Sequence, residues 1–283
     1  MGEAMDDAMA GGRVGSSAGE GAIHAVHLYP TTMNTYGDRG NVITLSRRAE
    51  WRDIPLHWHE VELGQAAPPA CDLLFVGGGQ DRVQNAIGED LRARRRWLEE
   101  VAQGGAAVLA VCAGLQLFGR RYVAADGSEI TGLGLLDLET VARRDRFIGN
   151  VVAEARVGGR TERLAGFENH GGRTYLGELE PLGRVLVGHG NNGEDGTEGA
   201  RAGTVFATYL HGPVLPRNAW LADHLLAIAA EHAGLGAAVV RPLEDTRETA
   251  ALDEAVATAQ RDMQASWRRT LRDVVAQVRR RQT

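Results

Sequence analysis

The sequence predicts an α/β fold: a doubly wound, mostly parallel sheet with added β-hairpins and a C-terminal helix. Three observations support this fold. Short apolar runs alternate with amphipathic stretches over the first 120 residues, as in a parallel sheet covered by helices. A Gly-rich middle region carries paired short β-runs, which predict the hairpins. After Pro242, apolar residues recur at spacings of three and four, which predicts one long helix.

The same patterns place the elements along the chain. Residues 1–21 are rich in Gly, Ala, Ser and acidic residues and predict a disordered leader, followed by a domain over 22–245 and a helix over 246–283. Predicted strands cover 23–29, 56–63, 73–76, 107–111 and 205–210, with a β-rich region over 135–188. Predicted helices cover 40–50, 88–103, 114–122 and 217–233.

The C-terminal helix carries one apolar stripe, which indicates packing on the body or on a partner. A membrane-surface role is a weaker interpretation, because its polar face mixes acids with arginines. The stripe consists of Leu252, Val256, Ala259, Met263, Trp267, Leu271, Val274 and Val278.

Composition excludes several functions. The net charge of −6 argues against a general nucleic-acid binder, and no apolar run is long enough for a transmembrane segment. All 31 basic residues are arginine, so P-loop ATP hydrolysis and Schiff-base chemistry lack the lysine they need. The two cysteines stand in unlike contexts, and neither a disulfide framework nor a secretory signal is predicted, which favours the cytoplasm.

Cys112 is the strongest candidate nucleophile. It follows an apolar strand and precedes Ala113, Gly114 and a helix start, which is the pattern of a nucleophile elbow. A helix N-terminus lowers the pKa of a thiol and favours negative charge. A buried, inert cysteine is the plainer interpretation of such a residue, and Cys71 is assigned that role.

A Gly-Gly-Gly-Gln-Asp loop over 77–81 follows another predicted strand. Its glycines let backbone N–H groups approach a ligand, although a simple tight turn would look the same. Beside a Cys elbow, an N–H of Gly78 or Gly79 would join that of Ala113 in an oxyanion hole.

His211 is the preferred base, because it ends a strand at the sheet edge where open α/β sheets bind ligands. His170, in a turn-rich segment, is the second choice. His57 and His59 alternate along a strand, but without a third ligand nearby no metal site is predicted. Arg146 belongs to a run of charges that is ordinarily solvated, and an α-carboxylate substrate would need one such arginine.

Together these motifs resemble the class I glutamine amidotransferases of the cobyric-acid-synthase-like branch. The resemblance rests on the Gly-rich loop, Cys-Ala-Gly-Leu-Gln (112–116) and Thr-Tyr-Leu-His-Gly-Pro (208–213). Three further segments, 27–41, 166–174 and 190–195, are similar to the small glutaminase subunits of the GatD type. The resemblance covers about residues 23–245.

This resemblance implies that the chain hydrolyses L-glutamine to glutamate and ammonia, with Cys112 as nucleophile, His211 as base, and Arg146 and Gln116 contacting the substrate. It implies a heterodimer with a MurT-like Mur ligase, which would use ATP and Mg to amidate D-glutamate of lipid II to D-isoglutamine. No cofactor or metal is expected in this chain itself. The complex would act in the cytoplasm near the inner membrane face.

Two positions depart from the family pattern. Many class I amidotransferases place an orienting glutamate two residues after the histidine, where this chain has Pro213. A Cys–His dyad is therefore expected, with Glu168 or a group of the partner as the candidate third member. Ala113 stands where glycine is usual and retains the backbone N–H.

Three alternatives remain open from the sequence. The amidotransferase could serve a cobyrinate-type acceptor, although a fused N-terminal ATP-binding domain is not predicted here. The chain could be a binding module with an inert Cys112. A Cys–His peptidase on the same fold would need an open cleft rather than an Arg-lined pocket.

Overall fold

A computed structural model describes residues 21–34, 37–79 and 84–280 of the chain, which form two six-stranded sheets and their helices. The strands are β1 (Ile23–Leu28), β2 (Leu56–Val61), β3 (Leu73–Val76), β4 (Ala107–Val111), β5 (Arg121–Val123), β6 (Glu129–Thr131), β7 (Leu138–Val157), β8 (Arg160–Leu176), β9 (Gly183–Val187), β10 (Thr197–Glu198), β11 (Ala200–Ala202) and β12 (Val205–Thr208). The helices are α1 (Arg39–Glu50), α2 (Gln84–Ala93), α3 (Arg95–Gly104), α4 (Ala113–Phe118), α5 (Ala219–His232) and α6 (Thr246–Arg280). The predicted leader lies almost wholly outside the described residues.

The first sheet has the strand order β11-β12-β4-β3-β1-β2. Every neighbouring pair is parallel except β11 with β12, so the predicted mostly parallel, doubly wound sheet is confirmed. Strands β3, β4 and β12 are buried at every position, as continuous apolar runs require when helices cover both faces of a sheet. The chain moves outward from β1 to β2 and in the opposite direction from β3 to β4. Right-handed crossovers therefore place α1 and the α2–α3 pair on opposite faces.

The β-rich middle forms a second sheet with the order β10-β9-β7-β5-β6, and β8 pairs with β7. The expectation that these hairpins extend the first sheet is wrong. Antiparallel runs predict hairpins locally, but they do not say which sheet the hairpins join. The edge strands of the first sheet are β11 and β2, neither of which pairs with a strand of the middle region. The 20-residue strand β7 pairs with β5, β8 and β9 and so forms the centre of the second sheet.

Two predicted helices differ from those in the structure. The helix predicted over 88–103 is divided at Arg94 into α2 and α3. The helix predicted over 114–122 ends at Phe118, and β5 follows it. The residue after α4 is Gly119, which packs against Leu138, the first residue of β7. A Cβ on Gly119 would lie 2.3 Å from Leu138 Cδ1, so only glycine fits at this point. No helix of the described residues is long and apolar enough to cross a membrane.

The first half of α6 packs on the second sheet. Val256 and Ala259 are buried against Val152, Ala165 and Val187, which lie on β7, β8 and β9. Leu252 and Ala255 border this small cluster. The apolar stripe predicted from the sequence therefore faces the body of the protein over this half.

Candidate active site

Cys112 lies in the turn between β4 and α4, in a strained backbone conformation. Its φ is +50° and its ψ is −99°, values that are uncommon for a residue with a side chain. Its N–H donates to the Thr208 carbonyl of β12 at 2.8 Å, and its carbonyl accepts from the Gln116 N–H at 3.0 Å. The turn therefore fixes the thiol at the carboxyl edge of the sheet, in the elbow geometry that the sequence predicts.

Gly114 makes this turn sterically possible. A Cβ on Gly114 would lie 2.9 Å from the Val76 carbonyl oxygen, closer than such contacts occur in proteins. Strand β3 thus passes directly beside the first turn of α4. A small residue at this position lets the elbow approach the Gly-rich loop that follows β3.

His211 follows β12 and joins the two sheets. Its backbone pairs with Phe167 of β8: the His211 N–H donates to the Phe167 carbonyl at 2.8 Å, and the Phe167 N–H donates back at 3.4 Å. The side chain of His211 is fully buried. Both sheets therefore contribute to the position of its imidazole ring.

The surroundings of Gly78 show that the predicted motifs meet. A Cβ on Gly78 would lie 2.7 Å from His211 Cε1 and 3.4 Å from Cys112 Cβ. The Gly-rich loop, the elbow and the histidine come from β3, β4 and β12, which are neighbours in the sheet. The structure therefore brings them together at the carboxyl edge, where ligands bind in open α/β sheets.

Asp38 completes the cluster and was missed in the sequence. It stands one residue before α1, is fully buried, and its carboxylate lies 3.7 Å from His211 Nδ1. That separation is an ion-pair distance rather than a hydrogen-bond distance. Its other oxygen accepts the Gly78 N–H at 2.7 Å. The Gly78 N–H, one of the two glycine N–H groups predicted for the oxyanion hole, is therefore occupied by Asp38 in this structure, and an oxyanion role for Gly78 or Gly79 stays a prediction.

His211 carries a positive charge in this setting. Burial alone would lower its pKa, but the negative charge of the Cys112 thiolate and the carboxylate of Asp38 outweigh burial and raise the pKa to about 10. An imidazolium ion therefore faces Cys112 at neutral pH. A neighbouring positive charge of this kind stabilises a thiolate, which is the nucleophilic form of cysteine.

Glu168 has a structural role on β8. Its buried carboxylate accepts from His189 Nδ1 at 2.8 Å, from the His189 N–H at 3.0 Å and from the Gly190 N–H at 3.0 Å. These bonds join Glu168 of β8 to the segment that follows β9. Burial would raise the pKa of Glu168, but hydrogen bonds from His170 and His189 lower it. The Glu168 carboxylate therefore holds the segment after β9, and a role in orienting His211 stays a prediction.

His170, the second-choice base, is occupied elsewhere. Its buried ring stacks on Tyr209 with 3.7 Å between ring centroids, and its Nδ1 lies 2.8 Å from the Gly172 carbonyl oxygen. Burial lowers its pKa, so the neutral ring is favoured.

On the first sheet, the His24 Nδ1 of β1 lies 3.0 Å from the His59 Nε2 of β2. Within the described residues, no group of three or more His, Cys, Asp or Glu side chains is arranged to hold a metal ion.

The two predicted substrate contacts occupy different environments. Gln116 lies one turn after Cys112, is buried, and donates to the Tyr209 hydroxyl at 3.1 Å. Arg146 is exposed on β7, at the point where its pairing with β8 shifts register. Its guanidinium donates to the side chain and carbonyl oxygens of Asn169, at 3.0 and 2.7 Å. Their contact with substrate remains a prediction.

Comparison with known proteins identifies a domain that contains both Cys112 and His211. The family model of the CobB/CobQ-like glutamine amidotransferase domain matches residues 24–219. The lipid II isoglutaminyl synthase (glutamine-hydrolyzing) subunit GatD of Staphylococcus aureus (strain N315) is 39% identical over 210 residues, covering 74% of this chain and 85% of the relative. The subunit of the same name from Streptococcus pneumoniae (strain ATCC BAA-255 / R6) is 40% identical over 210 residues, covering 73% and 80%. A probable cobyric acid synthase of Methanothermobacter thermautotrophicus is 30% identical over 214 residues, which cover 64% of this chain but 40% of the relative.

Proposed function

The chain belongs to the CobB/CobQ-like glutamine amidotransferase family, and on that basis we propose that it is the glutamine-hydrolysing subunit of a lipid II isoglutaminyl synthase. The observation that carries the proposal is the meeting of Cys112 with a buried, positively charged His211 at the carboxyl edge of the sheet. The acceptor is inferred from the two GatD relatives, of whose own length 85% and 80% is matched.

The reaction begins with the Cys112 thiolate, which attacks the side-chain amide carbon of L-glutamine and forms a carbon–sulfur bond. Because His211 already holds a proton at neutral pH, this step needs no separate base. The amide oxygen becomes an oxyanion. The N–H of Ala113, at the first turn of α4, and the N–H of Gly79 are the proposed donors to it.

The tetrahedral intermediate then collapses. His211 gives its proton to the departing nitrogen, ammonia leaves, and the substrate remains as a thioester on Cys112. The neutral imidazole next removes a proton from water, which attacks the thioester and releases glutamate. Asp38 is a positioning residue in this scheme, because its charge favours the protonated form of His211 in both steps.

Arg146 and Gln116 are the proposed contacts for the amino-acid part of glutamine. The Arg146 guanidinium is suited to pair with an α-carboxylate, because its planar fork donates two parallel hydrogen bonds. Its present bonds to Asn169 hold it at the surface of the second sheet. Gln116 is buried one turn after Cys112, and its amide donates to the Tyr209 hydroxyl at 3.1 Å.

Transfer of the ammonia requires a partner in this proposal. Activation of a carboxyl group consumes ATP, and this chain has no lysine with which to build a P-loop. We assign ATP and Mg to a MurT-like Mur ligase, which would amidate D-glutamate of lipid II to D-isoglutamine. The heterodimer would act in the cytoplasm near the inner membrane face, where the lipid acceptor is accessible.

The test is glutamate release from L-glutamine by the purified chain, alone and with a co-expressed Mur-ligase-like partner. Cys112→Ala should abolish release. Cys71→Ala, the same change at the other buried cysteine, should retain it. Equal activity in both variants would contradict the assignment of Cys112.

The acceptor is tested separately in the reconstituted complex. Amidation of lipid II that depends on both ATP and glutamine would support the proposed acceptor. Glutaminase activity combined with amidation of a cobyrinate-type substrate, and not of lipid II, would replace it. A folded chain that releases no glutamate under any condition would leave a binding module on an amidotransferase fold.

A further inference from the structure

The second half of α6 leaves the body of the protein. Residues 261–269 are all exposed, and nine residues make about two and a half helical turns. Every face of the helix is therefore open over this stretch. Where the helix leaves the second sheet, Asn150 of β7 donates to Asp262 at 2.9 Å.

The apolar stripe continues past this point of departure. Val256 and Ala259 are buried against the second sheet, whereas Met263 is 41% exposed and Trp267 is 68% exposed. In the sequence, the same spacing continues with Leu271, Val274 and Val278. Met263 and Trp267 thus present apolar side chains that the described residues do not cover.

Charge is divided between the two halves of the helix. Residues 246–260 contain one arginine and three acidic residues, and this half is docked. Residues 261–283 contain seven arginines and two aspartates, a net charge of +5. Since the whole chain carries −6, residues 1–260 carry −11. The acids that weaken a membrane interpretation of the entire helix therefore lie mainly in the docked half.

We propose that the projecting half of α6, residues 261–280, binds the surface of an anionic membrane. An interfacial helix needs an apolar face with an aromatic residue and basic residues beside it. Met263 and Trp267 provide the apolar and aromatic side chains, and the exposed Arg261, Arg268 and Arg272 provide the basic ones. The proposal rests on the proposed function, in which the acceptor is a membrane lipid.

The charge distribution favours a membrane over a second copy of the chain. In a dimer formed through this segment, two stretches with a net charge of +5 each would face one another. Their electrostatic repulsion opposes such pairing. A membrane of anionic lipids also repels the remainder of the chain, which carries −11. Contact through the tip of α6 alone therefore places the basic segment on the lipid and keeps the acidic body away from it.

The experiment uses the full chain with vesicles of phosphatidylglycerol and phosphatidylcholine, and with vesicles of phosphatidylcholine alone. We expect co-sedimentation with the anionic vesicles only, a blue shift of tryptophan fluorescence, and loss of binding at high salt. Trp267→Ser should remove the shift and weaken binding. Trp51→Ser is the matched control, because Trp51 is 56% exposed directly after α1 and its replacement should leave both unchanged.

The charge requirement is tested with Arg268→Glu/Arg272→Glu. Each basic residue near an anionic surface strengthens binding about fivefold, so the double reversal should weaken it at least tenfold. Arg95→Glu/Arg96→Glu is the matched control, since both arginines are exposed on α3. Loss of binding in the control as well would show a general charge effect and overturn the proposal.

Other results would also overturn it. These are equal binding to neutral vesicles, no binding to either kind, a dimer that Trp267→Ser dissociates, or protection of Trp267 by the Mur-ligase-like partner instead of lipid. Glutamate release from soluble L-glutamine by Trp267→Ser should equal that of the wild type. Failure of membrane binding is thereby distinguished from failure of the proposed function.

Discussion

Pro213 packs on Gly40 at the start of α1, so closely that a Cβ on Gly40 would lie 2.3 Å from Pro213 Cγ. The next residues are held in the same way, because the Asn41 side chain accepts the Leu215 N–H at 2.9 Å. The segment after His211 therefore rests on the first turn of α1. Many class I amidotransferases carry an orienting glutamate at position 213. Here a proline stands at that position, and Asp38, one residue before α1, places its carboxylate 3.7 Å from His211 Nδ1.

Gly40→Ala should displace this contact. The new methyl group would force α1 and the 212–215 segment apart, and overpacking of this kind costs about 1–3 kcal/mol. We expect a lower free energy of unfolding and at least a tenfold loss of glutaminase activity, measured by urea denaturation and glutamate release. Gly149→Ala is the control, because nothing lies within 4 Å of a Cβ there. Equal effects of the two substitutions would contradict the packing argument.

Asp38→Asn should lower the pKa of His211. The negative charge of Asp38 helps to raise that pKa to about 10, so its removal lets the imidazolium lose its proton at lower pH. The titration of the His211 Cε1 proton by NMR measures the shift directly. Asp38→Glu keeps the charge and should keep most of the elevated pKa. An unchanged titration in Asp38→Asn would exclude Asp38 as a positioning residue.

The pairing of His211 with Asp38 makes the stability of the folded protein depend on pH. Because the pKa of His211 is raised from 6.5 to about 10 in the folded state, its stabilising contribution is complete below pH 6.5 and is lost as the pH rises toward 10. Urea denaturation of the wild type should therefore show declining stability over this interval. In Asp38→Asn the decline should be smaller, and an equal decline in both proteins would contradict the pairing.

Glu168→Gln should destabilise the second sheet without changing His211. A buried carboxylate that accepts three hydrogen bonds is replaced by an amide, at a cost of about 1–3 kcal/mol. Since the pKa of Glu168 is lowered in the folded state, the difference from wild type should be complete at neutral pH and disappear in acid. Urea denaturation across pH measures it. A shift in the His211 titration would instead return Glu168 to the catalytic cluster.

Arg48→Ala should lower the stability of the protein far more than Arg47→Ala. The buried Arg48 guanidinium binds Asp223 of α5 at 2.6 Å and Asp245 at 2.8 Å. Its loss leaves Asp245 without this partner and Asp223 with Arg52 alone, and breaking a buried ion pair costs about 3–5 kcal/mol. The neighbouring Arg47 pairs with Glu50 in solvent, where a pair contributes about 0–1 kcal/mol. Thermal denaturation compares them, and similar melting temperatures would contradict the assignment.

Local patterns were sufficient for much of the first sheet. Strands β3 and β4 occupy the predicted residues, because each apolar run is bounded by glycine or charge. Cys112 and His211 were recognisable because each stands at the end of such a run. The carboxyl ends of parallel strands lie at one edge of a sheet, so the predicted parallel sheet already placed both residues at that edge.

Asp38 was not recognisable in the same way. It lies in a loop after β1, which is two strands away from β4, and it is 173 residues distant from His211. The packing of α1 against the 212–215 segment and the hydrogen bond from the Gly78 N–H bring the two together. The sheet to which β7 and β8 belong was likewise beyond local patterns, because hairpin formation is decided by neighbours in sequence and sheet membership by the rest of the fold.

Strand β8 connects two parts of the molecule that carry different tasks. Ala165 packs under α6, and Phe167, two residues later, pairs with the backbone of His211. A tightly packed interior transmits displacement over such a short distance. A displacement of the projecting end of α6 would therefore be transmitted through β8 to the backbone of His211, the proposed proton donor.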